Sequence, residues 1–309
     1  MKKHFIYWLC AAVMLLALSV PAAAISPVEV ERPSSLTLQY SQDGTVFPGL
    51  EIRAYRVAEI FPDGTYALCG DFKDYAVNIH GVTSQTEWRQ ITATLVSYIT
   101  ADQLQHTVTA TTDENGMASF SDLQTGMYLI LSVSAEGQQT VVFEDFMISV
   151  PNVDANGEYV YEVAAKPKYR VLEPDPGQRE HRVTKLWKDT GFEENRPESV
   201  TVDIYKDGEL FTTQSLSAEN DWSYSWTTEE DDGSAWTAVE RDVAADYTVT
   251  IVTEGSTILI TNAREGSDPP PDDTGDPILV IAALMVTGGC GMGLTKMAAR
   301  RKRNTDEEA

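Results

Sequence analysis

Hydrophobic and polar residues alternate in short runs through most of the chain, the pattern of half-buried β-strands. Over residues 33–170 we predict strands in SLTLQY, LEIRAYRVAEI, TYALC, TVTATT, MASFSDL, MYLILSV, FMISVP and YVYEVAAK. Asp-Gly and Asn-Gly pairs lie between several of these runs and indicate tight turns. The pattern therefore predicts a first β domain over residues 33–170.

One segment of this domain has the periodicity of a helix. The apolar residues of SQTEWRQITATLVSYITADQ that share one helical face are Trp88, Ile91, Leu95 and Tyr98. Ser84 and Glu87 have the spacing of a capping box, which marks the start of a helix. We expect one amphipathic helix that packs on the sandwich, with Trp88 and Tyr98 in its core.

A second β domain is predicted over residues 181–264. Its strand-like runs are RVTKLWK, SVTVDIYKDGELFTTQSL, WSYSWTT, SAWTAVE, YTVTIVTEG and STILITNA, and Asp207-Gly208 is a favoured hairpin turn. Residues 171–180 contain two prolines and a glycine, which indicates a linker between the domains. Many short strands separated by turns favour antiparallel sandwiches.

Both ends of the chain are hydrophobic but differ in their flanks. Residues 1–24 combine a basic start, an apolar run and small residues, which predicts a secretory signal peptide; a permanent anchor is the alternative. Residues 277–299 carry no charge except Lys296 and are long enough to cross a bilayer. The basic residues of segment 300–309 indicate a cytoplasmic tail. Residues 265–276 are rich in proline and are expected to form a stiff spacer outside the cell.

Charge and cysteine content reduce the number of functions and partners that the chain could have. The formal net charge is −24, which argues against nucleic acid as a partner. Of the three cysteines, only Cys69 lies between the two hydrophobic ends, so no internal disulfide is expected there. The histidines His80, His106 and His181 are scattered and are interpreted as surface residues. We expect no metal site and no cofactor.

A lysine on an apolar strand face raises a chemical question. Val183, Lys185 and Trp187 share one face of their strand, where an unpaired charge would be very costly. By the same alternation, Glu240 and Asn262 fall on apolar faces of a late strand and of the last strand. Taken alone, this alternation slightly favours the interpretation that the three are unrelated residues at strand ends and lean into solvent.

The second domain resembles a CnaB-type domain of Gram-positive surface proteins and pilins. The resemblance rests on VTKLWKD, RPESVTVDIYKDGE, LSAENDWSYSW, TAVERDVAADY and ITN, in that order. It implies an isopeptide bond between Lys185 and Asn262, promoted by the buried acid Glu240. An apolar site favours the neutral, nucleophilic amine and the protonated carboxyl group that such a reaction needs. The reaction is a single autocatalytic turnover, so we do not expect an enzyme.

The first domain resembles the N-terminal domain of pilin-like surface proteins. The resemblance rests on SLTLQYSQDG, NGMASFSDLQTGMYLI and FMISVP followed by YVYEVAAKPK. The first strand has Gln39 and Tyr40 where a linking lysine is expected, so no internal bond is implied there. Pilin shafts use a lysine in a Tyr-Pro-Lys-like motif, and AKPKYR places Lys168 in that position. A solvent-exposed strand-end lysine is an equally weighted interpretation of Lys168.

The end of the chain resembles a sortase sorting signal. PDDTGDP, the hydrophobic segment and RRKR follow one another in the expected order, which implies cleavage between Thr274 and Gly275. The usual Leu-Pro is replaced by Pro271 and Asp272. A plain membrane anchor is the alternative.

Together these patterns imply an all-β protein with two immunoglobulin-like (CnaB-type) antiparallel sandwiches in tandem, the first with one inserted helix. We expect a structural protein, a pilin or pilin-like stalk, secreted and anchored to the wall or membrane on the outer surface of a Gram-positive bacterium. Its partners would be a sortase and either peptidoglycan or other pilin subunits. The alternative function is a monomeric wall-anchored adhesin that binds a host or matrix ligand through its first domain.

Overall fold

The computed structural model describes residues 26–133, 141–171, 179–228 and 234–266. Most of these residues form one compact unit, residues 26–187 with 197–265. The short segment Lys188–Arg196 belongs to a second unit. Within that segment, the Arg196 guanidinium donates hydrogen bonds to the Asp189 carboxylate, at 2.6 and 2.9 Å. The predicted signal peptide, sorting motif and hydrophobic segment 277–299 lie outside the described residues.

The first domain consists of short strands and one long helix. Its strands are β1 (Ser34–Gln39), β2 (Ser41–Gln42), β3 (Thr45–Val46), β4 (Glu51–Ile60), β5 (Tyr66–Leu68), β6 (Val108–Thr111), β7 (Met117–Leu123), β8 (Gly126–Val133), β9 (Val141–Phe143), β10 (Phe146–Val150), β11 (Asn152–Val153), β12 (Tyr159–Val160), β13 (Glu162–Ala165) and β14 (Tyr169–Val171). The helix α1 (Gln85–Asp102) lies between β5 and β6 in the sequence. The predicted runs therefore form strands, and short pairs such as β2–β3 and β9–β14 add to them.

Two sheets account for most of this domain. One has the strand order β13–β1–β7, and the other has the order β10–β8–β4–β5 with β6 also paired to β4. The pairing is antiparallel except that β1 and β13, near the two ends of the domain, run parallel. The apolar positions of both sheets enclose a core that includes Leu36, Leu38 and Phe120. Over the described residues of this domain, the predicted β architecture with one α-helix is thus confirmed.

The helix α1 begins at the predicted capping box. The Ser84 hydroxyl accepts a hydrogen bond from Glu87 N at 3.1 Å, and Ser84 N donates to the Glu87 carboxylate at 2.9 Å. These reciprocal bonds satisfy donors that the first turn of a helix leaves open. The helix ends where Gln103 adopts a left-handed conformation with φ of 50°. Its buried face includes Leu95 and Tyr98 as predicted, whereas Trp88 is only partly buried.

The second domain is a sandwich of two sheets. Its strands are β15 (Arg179–Lys188), β16 (Ser199–Lys206), β17 (Glu209–Ser217), β18 (Ser223–Thr228), β19 (Trp236–Arg241), β20 (Thr248–Glu254) and β21 (Thr257–Ala263). One sheet has the order β18–β15–β21–β20 and the other has the order β17–β16–β19. Asp207, with φ of 51°, and Gly208 form the predicted turn between β16 and β17. The first and last strands of the domain are therefore neighbours in one sheet, and β19 belongs to the facing sheet.

The core of the second domain continues into the first. Val183, Val202 and Ile260 belong to the same buried apolar cluster as Leu95 and Tyr98 of α1. The helix contacts β19 and β20 of the second domain rather than only its own sandwich. The expectation that α1 packs on the first sandwich is therefore incomplete, because an apolar helical face specifies burial but not the surface that covers it.

Candidate functional site

Alternation along β15 places Lys185 inside the sandwich. Lys185 is 2 % exposed, between the buried Val183 and the partly buried Trp187. Its ammonium nitrogen Nζ lies 4.0 Å from the centre of the Trp187 ring and donates to Leu186 O at 3.1 Å. A cation over an indole face is stabilised by the ring electrons. Strand alternation predicted that Trp187 lies on the same face as Lys185. The sequence did not indicate that its ring contacts the ammonium group.

The facing sheet supplies an acid to this lysine. Glu240, on β19, is 2 % exposed, and its Oε2 lies 3.5 Å from Lys185 Nζ. Burial raises the pKa of Glu240 above its ordinary value, although the Lys185 charge and a hydrogen bond from Asn262 oppose that shift. A carboxyl group desolvated in this way holds a proton more readily than one in water.

The last strand completes the group. Asn262, on β21, is 1 % exposed, and its Nδ2 donates to Glu240 Oε1 at 2.9 Å. Among the described residues, Asn262 Oδ1 and Glu240 Oε2 are buried atoms for which no hydrogen bond is found. A buried acceptor without a donor is costly, and for Glu240 Oε2 the Lys185 ammonium at 3.5 Å offsets part of that cost.

The geometry brings together the groups that amide formation needs. The Glu240 carboxyl lies within 3.5 Å of the amine of Lys185 and within 2.9 Å of the amide nitrogen of Asn262. A carboxyl group in contact with both nitrogen atoms can exchange protons with each. The buried surroundings keep water from competing with the amine.

Two residues near Glu240 make contacts that the sequence did not predict. Tyr98 of α1 donates from its hydroxyl to the backbone oxygen of Glu240, at 3.4 Å. Arg241, the neighbour of Glu240, donates to Asp203 Oδ2 at 2.9 Å and to Asp102 Oδ1 at 2.7 Å. Helical spacing predicted that Tyr98 is buried, but no local pattern links it to a strand so distant in the sequence.

The surface interpretation of His181 is wrong. His181 is 6 % exposed and stacks on Trp226, with 5.3 Å between ring centres. Its Nε2 lies 3.1 Å from Thr228 Oγ1. Strand alternation places His181 on the same face as Lys185, so the signal for its burial was present in the sequence. His80 is exposed and His106 is half-buried.

The remaining predicted residues lie apart from this group. Lys168 is exposed between β13 and β14, after the buried Pro167, and its backbone oxygen accepts a hydrogen bond from Glu144 N at 2.8 Å. Thr274 and Gly275 lie outside the described residues. Over the part of the chain that is described, no three His, Cys, Asp or Glu side chains are grouped to hold a metal ion. That part also has no helix both long and apolar enough to span a membrane.

Comparisons with solved structures find similar proteins at low sequence identity. A crystal structure of one B repeat unit of the collagen binding surface protein Cna of Staphylococcus aureus is 15 % identical, covering 75 % of this chain and 98 % of the other, with a TM-score of 0.27. The full-length major pilin SpaD from Corynebacterium diphtheriae is 15 % identical, covering 77 % and 65 %, with a TM-score of 0.31. The shaft pilin spaA from Lactobacillus rhamnosus GG is 14 % identical, covering 76 % and 100 %, with a TM-score of 0.27.

Family models match two segments of the chain. Residues 65–168 match the model of the Gram-positive pilin subunit D1, N-terminal domain. Residues 181–263 match the model of the Cna protein B-type domain. No curated protein matches the chain. Over these two segments, the chain thus consists of a Gram-positive pilin D1 domain followed by a Cna protein B-type domain.

Proposed function

We propose that the chain is a structural protein of the outer surface of a Gram-positive bacterium, a pilin or pilin-like stalk. Its second domain would be closed by an amide bond between Lys185 and Asn262. The observation that carries this proposal is the Glu240 carboxyl group, which contacts both nitrogen atoms inside a buried core. The pilin D1 and Cna B-type family matches support the surface location.

The reaction proceeds by attack of the neutral Lys185 amine on the side-chain carbonyl carbon of Asn262. A new C–N bond forms, the bond from that carbon to Nδ2 breaks, and ammonia leaves. Glu240 takes a proton from the attacking nitrogen and delivers one to Nδ2, with which it is already hydrogen-bonded. The product amide is neutral, so the buried ammonium of Lys185 no longer exists after the reaction.

The bond would connect the two ends of the second domain. Lys185 lies on its first strand, Asn262 lies on its last strand, and the two strands are neighbours. Tension applied to the ends of the domain would pass through the bond instead of separating the sheet. Treated like a disulfide, closure of this loop restricts the unfolded chain by roughly 4–5 kcal/mol.

Attachment to the surface would use the sorting signal of the tail. A sortase would cleave between Thr274 and Gly275 and join the threonine carbonyl group to an amine. That amine belongs to peptidoglycan or to Lys168 of another subunit. The exposure of Lys168 supports this role, since an acceptor must reach the enzyme.

A groove of the first domain supports the second candidate function, a monomeric adhesin. The groove has a volume of about 480 Å³, and its lining includes Arg32, Phe61 and Thr125. A ladder of covalent oligomers on a denaturing gel would favour the pilin. A single band together with binding of a host or matrix ligand would favour the adhesin.

Intact mass tests the amide directly. The exported chain, produced with both domains, is expected to weigh about 17 Da less than its sequence because one ammonia is lost. Fragment mapping should place that loss on a peptide pair that contains Lys185 and Asn262. The matched variants Lys185→Ala, Asn262→Ala and Glu240→Ala should keep their full masses. A full mass for the folded wild-type protein would refute the crosslink.

A further inference from the structure

The first domain covers one side of the sandwich of the second domain. Strand β19 is the last strand of its sheet, and strand β20 is the last strand of the facing sheet. The helix α1 contacts both of them. Leu95 of α1 is fully buried in the apolar cluster shared by the two domains. The helix therefore closes the gap between two sheet edges, one of which carries Glu240.

Hydrogen bonds fix the helix against the backbone of β20. Ile251 N donates to Thr94 Oγ1 at 2.8 Å in a fully buried position. Val249 N donates to Ala76 O, in the segment before α1, at 2.7 Å. An edge strand normally presents such N–H groups to water or to another strand. Here the first domain satisfies them.

A second set of contacts fixes the strand that carries the acid. The Tyr98 hydroxyl donates to Glu240 O at 3.4 Å, and Arg241 pairs with Asp102 at the end of the helix. Tyr98 is 3 % exposed, and burial raises its pKa, with the nearby Glu240 charge adding to the shift. The helix thus holds the backbone of β19 at the residue whose carboxyl lies between Lys185 and Asn262.

We propose that α1 is a positioning element for the crosslink, so that the amide forms in chains whose two domains are docked and not before. Docking of Leu95 and Tyr98 excludes water from the edge of the sandwich and sets the position of Glu240. This inference rests on the proposed function, because it concerns the Lys185–Asn262 bond. It adds an order of events in which folding of the first domain precedes locking of the second.

Two leucines offer a matched test. Leu95 and Leu38 are both fully buried, but Leu95 belongs to the cluster shared by the domains and Leu38 to a cluster confined to the first domain. Leu95→Ala and Leu38→Ala thus remove the same side-chain atoms from different cores. The whole exported chain is synthesised in a cell-free system, and intact mass follows the loss of ammonia with time.

The expected result is a difference between the two variants. Leu95→Ala should slow ammonia loss by about tenfold or more, because removal of a buried leucine destabilises packing by more than the roughly 1.4 kcal/mol that corresponds to tenfold. Leu38→Ala should leave the rate close to that of the wild type. Leu95→Met, which nearly conserves the side-chain volume, should restore most of the rate.

The pH profile separates positioning from general destabilisation. Water admitted by Leu95→Ala would weaken the desolvation that raises the pKa of Glu240. The alkaline limb of the profile should therefore move to lower pH in Leu95→Ala and stay unchanged in Leu38→Ala. If Leu95→Ala fails to fold, Tyr98→Phe, which keeps the ring and removes the hydroxyl, should still slow the reaction.

The outcomes distinguish this inference from the function on which it rests. A wild-type chain that never loses ammonia would refute the crosslink itself. A wild-type chain that reacts while Leu95→Ala and Leu38→Ala share one rate and one pH profile would overturn the role of α1 alone. An unchanged rate in a folded Tyr98→Phe variant would exclude its hydroxyl from that role.

Discussion

Glu240 Oε1 accepts a hydrogen bond from Asn262 Nδ2 at 2.9 Å, across the interior between the two sheets of the second domain. A glutamate and an asparagine buried in a small sandwich are costly unless each is compensated. They compensate one another only in part, since two of their oxygen atoms are buried atoms without a described hydrogen bond. Conversion of Lys185 and Asn262 into one neutral amide would remove much of this cost.

The charge state of Glu240 predicts how an unlinked domain responds to pH. In Lys185→Ala, the ammonium that lowers the pKa of Glu240 is absent, so the raised pKa should rise further. The native state then binds a proton more tightly than the unfolded state. The stability that this group contributes should be fully present below the ordinary glutamate pKa of about 4.3 and should be lost as pH rises from there through the raised value.

Urea unfolding at several pH values measures this dependence. The control is the double variant Lys185→Ala with Glu240→Gln, which has no carboxyl group at the site and should lack that part of the slope. Equal slopes in the two proteins would mean that Glu240 is not the group responsible.

The crosslink predicts a stability that reductants do not affect. Glu240→Ala, which cannot promote the bond, should lose the roughly 4–5 kcal/mol of loop closure. It should lose a further ~1–3 kcal/mol because a buried hydrogen bond to Asn262 is removed. Thermal unfolding and protease resistance, each measured with and without a reductant, check this. A wild-type protein that becomes as labile as Glu240→Ala in reductant would point to a different kind of bond.

The sorting signal predicts where the protein is retained. Thr274→Ala should move the protein from the covalent wall fraction to the membrane fraction or the medium, because in the proposed sorting reaction the acyl group that is transferred belongs to that threonine. Thr305→Ala, which lies after the basic cluster, is a suitable control and should leave attachment unchanged. Fractionation of cells followed by wall digestion provides the measurement. Persistent covalent attachment of Thr274→Ala would end the sorting hypothesis.

Two exposed lysines around Pro167 allow a matched test of polymerisation. Lys168→Ala should abolish high-mass polymers on a denaturing gel and leave wall-anchored monomer, because the acceptor amine is absent. Lys166→Ala, two residues earlier and also exposed, should polymerise normally. Polymers that survive Lys168→Ala would place the acceptor at another lysine, and a wild type without polymers would favour the adhesin.

Strand alternation placed Lys185, Glu240 and Asn262 on apolar faces, but taken alone it slightly favoured three unrelated residues at strand ends. The resemblance to a CnaB-type domain predicted that they form one group, and in the structure Glu240 contacts both Lys185 and Asn262. The same alternation predicts that His181 is buried, but His181 was interpreted as a surface residue. The error came from treating a histidine by its residue type rather than by its position on the strand.

The location of α1 could not be derived in this way. Helical spacing and the Ser84–Glu87 capping box predicted the helix correctly because both are local signals. The surface that receives Leu95 is formed by β19 and β20, which lie far away in the sequence. The pattern of an apolar helical face does not specify which surface will cover it. The contact between the two domains could therefore be found only from the structure.

The hydrogen bonds from Val249 N to Ala76 O and from Ile251 N to Thr94 also affect how copies of the chain interact when they are crowded together. A sheet edge with open N–H groups is a template on which another copy can add its own strand. These two donors are already taken by the same chain and are not offered to a neighbouring copy. Copies displayed side by side would then not join edge to edge through β20, so a connection between copies would have to form elsewhere, as the proposed ligation does.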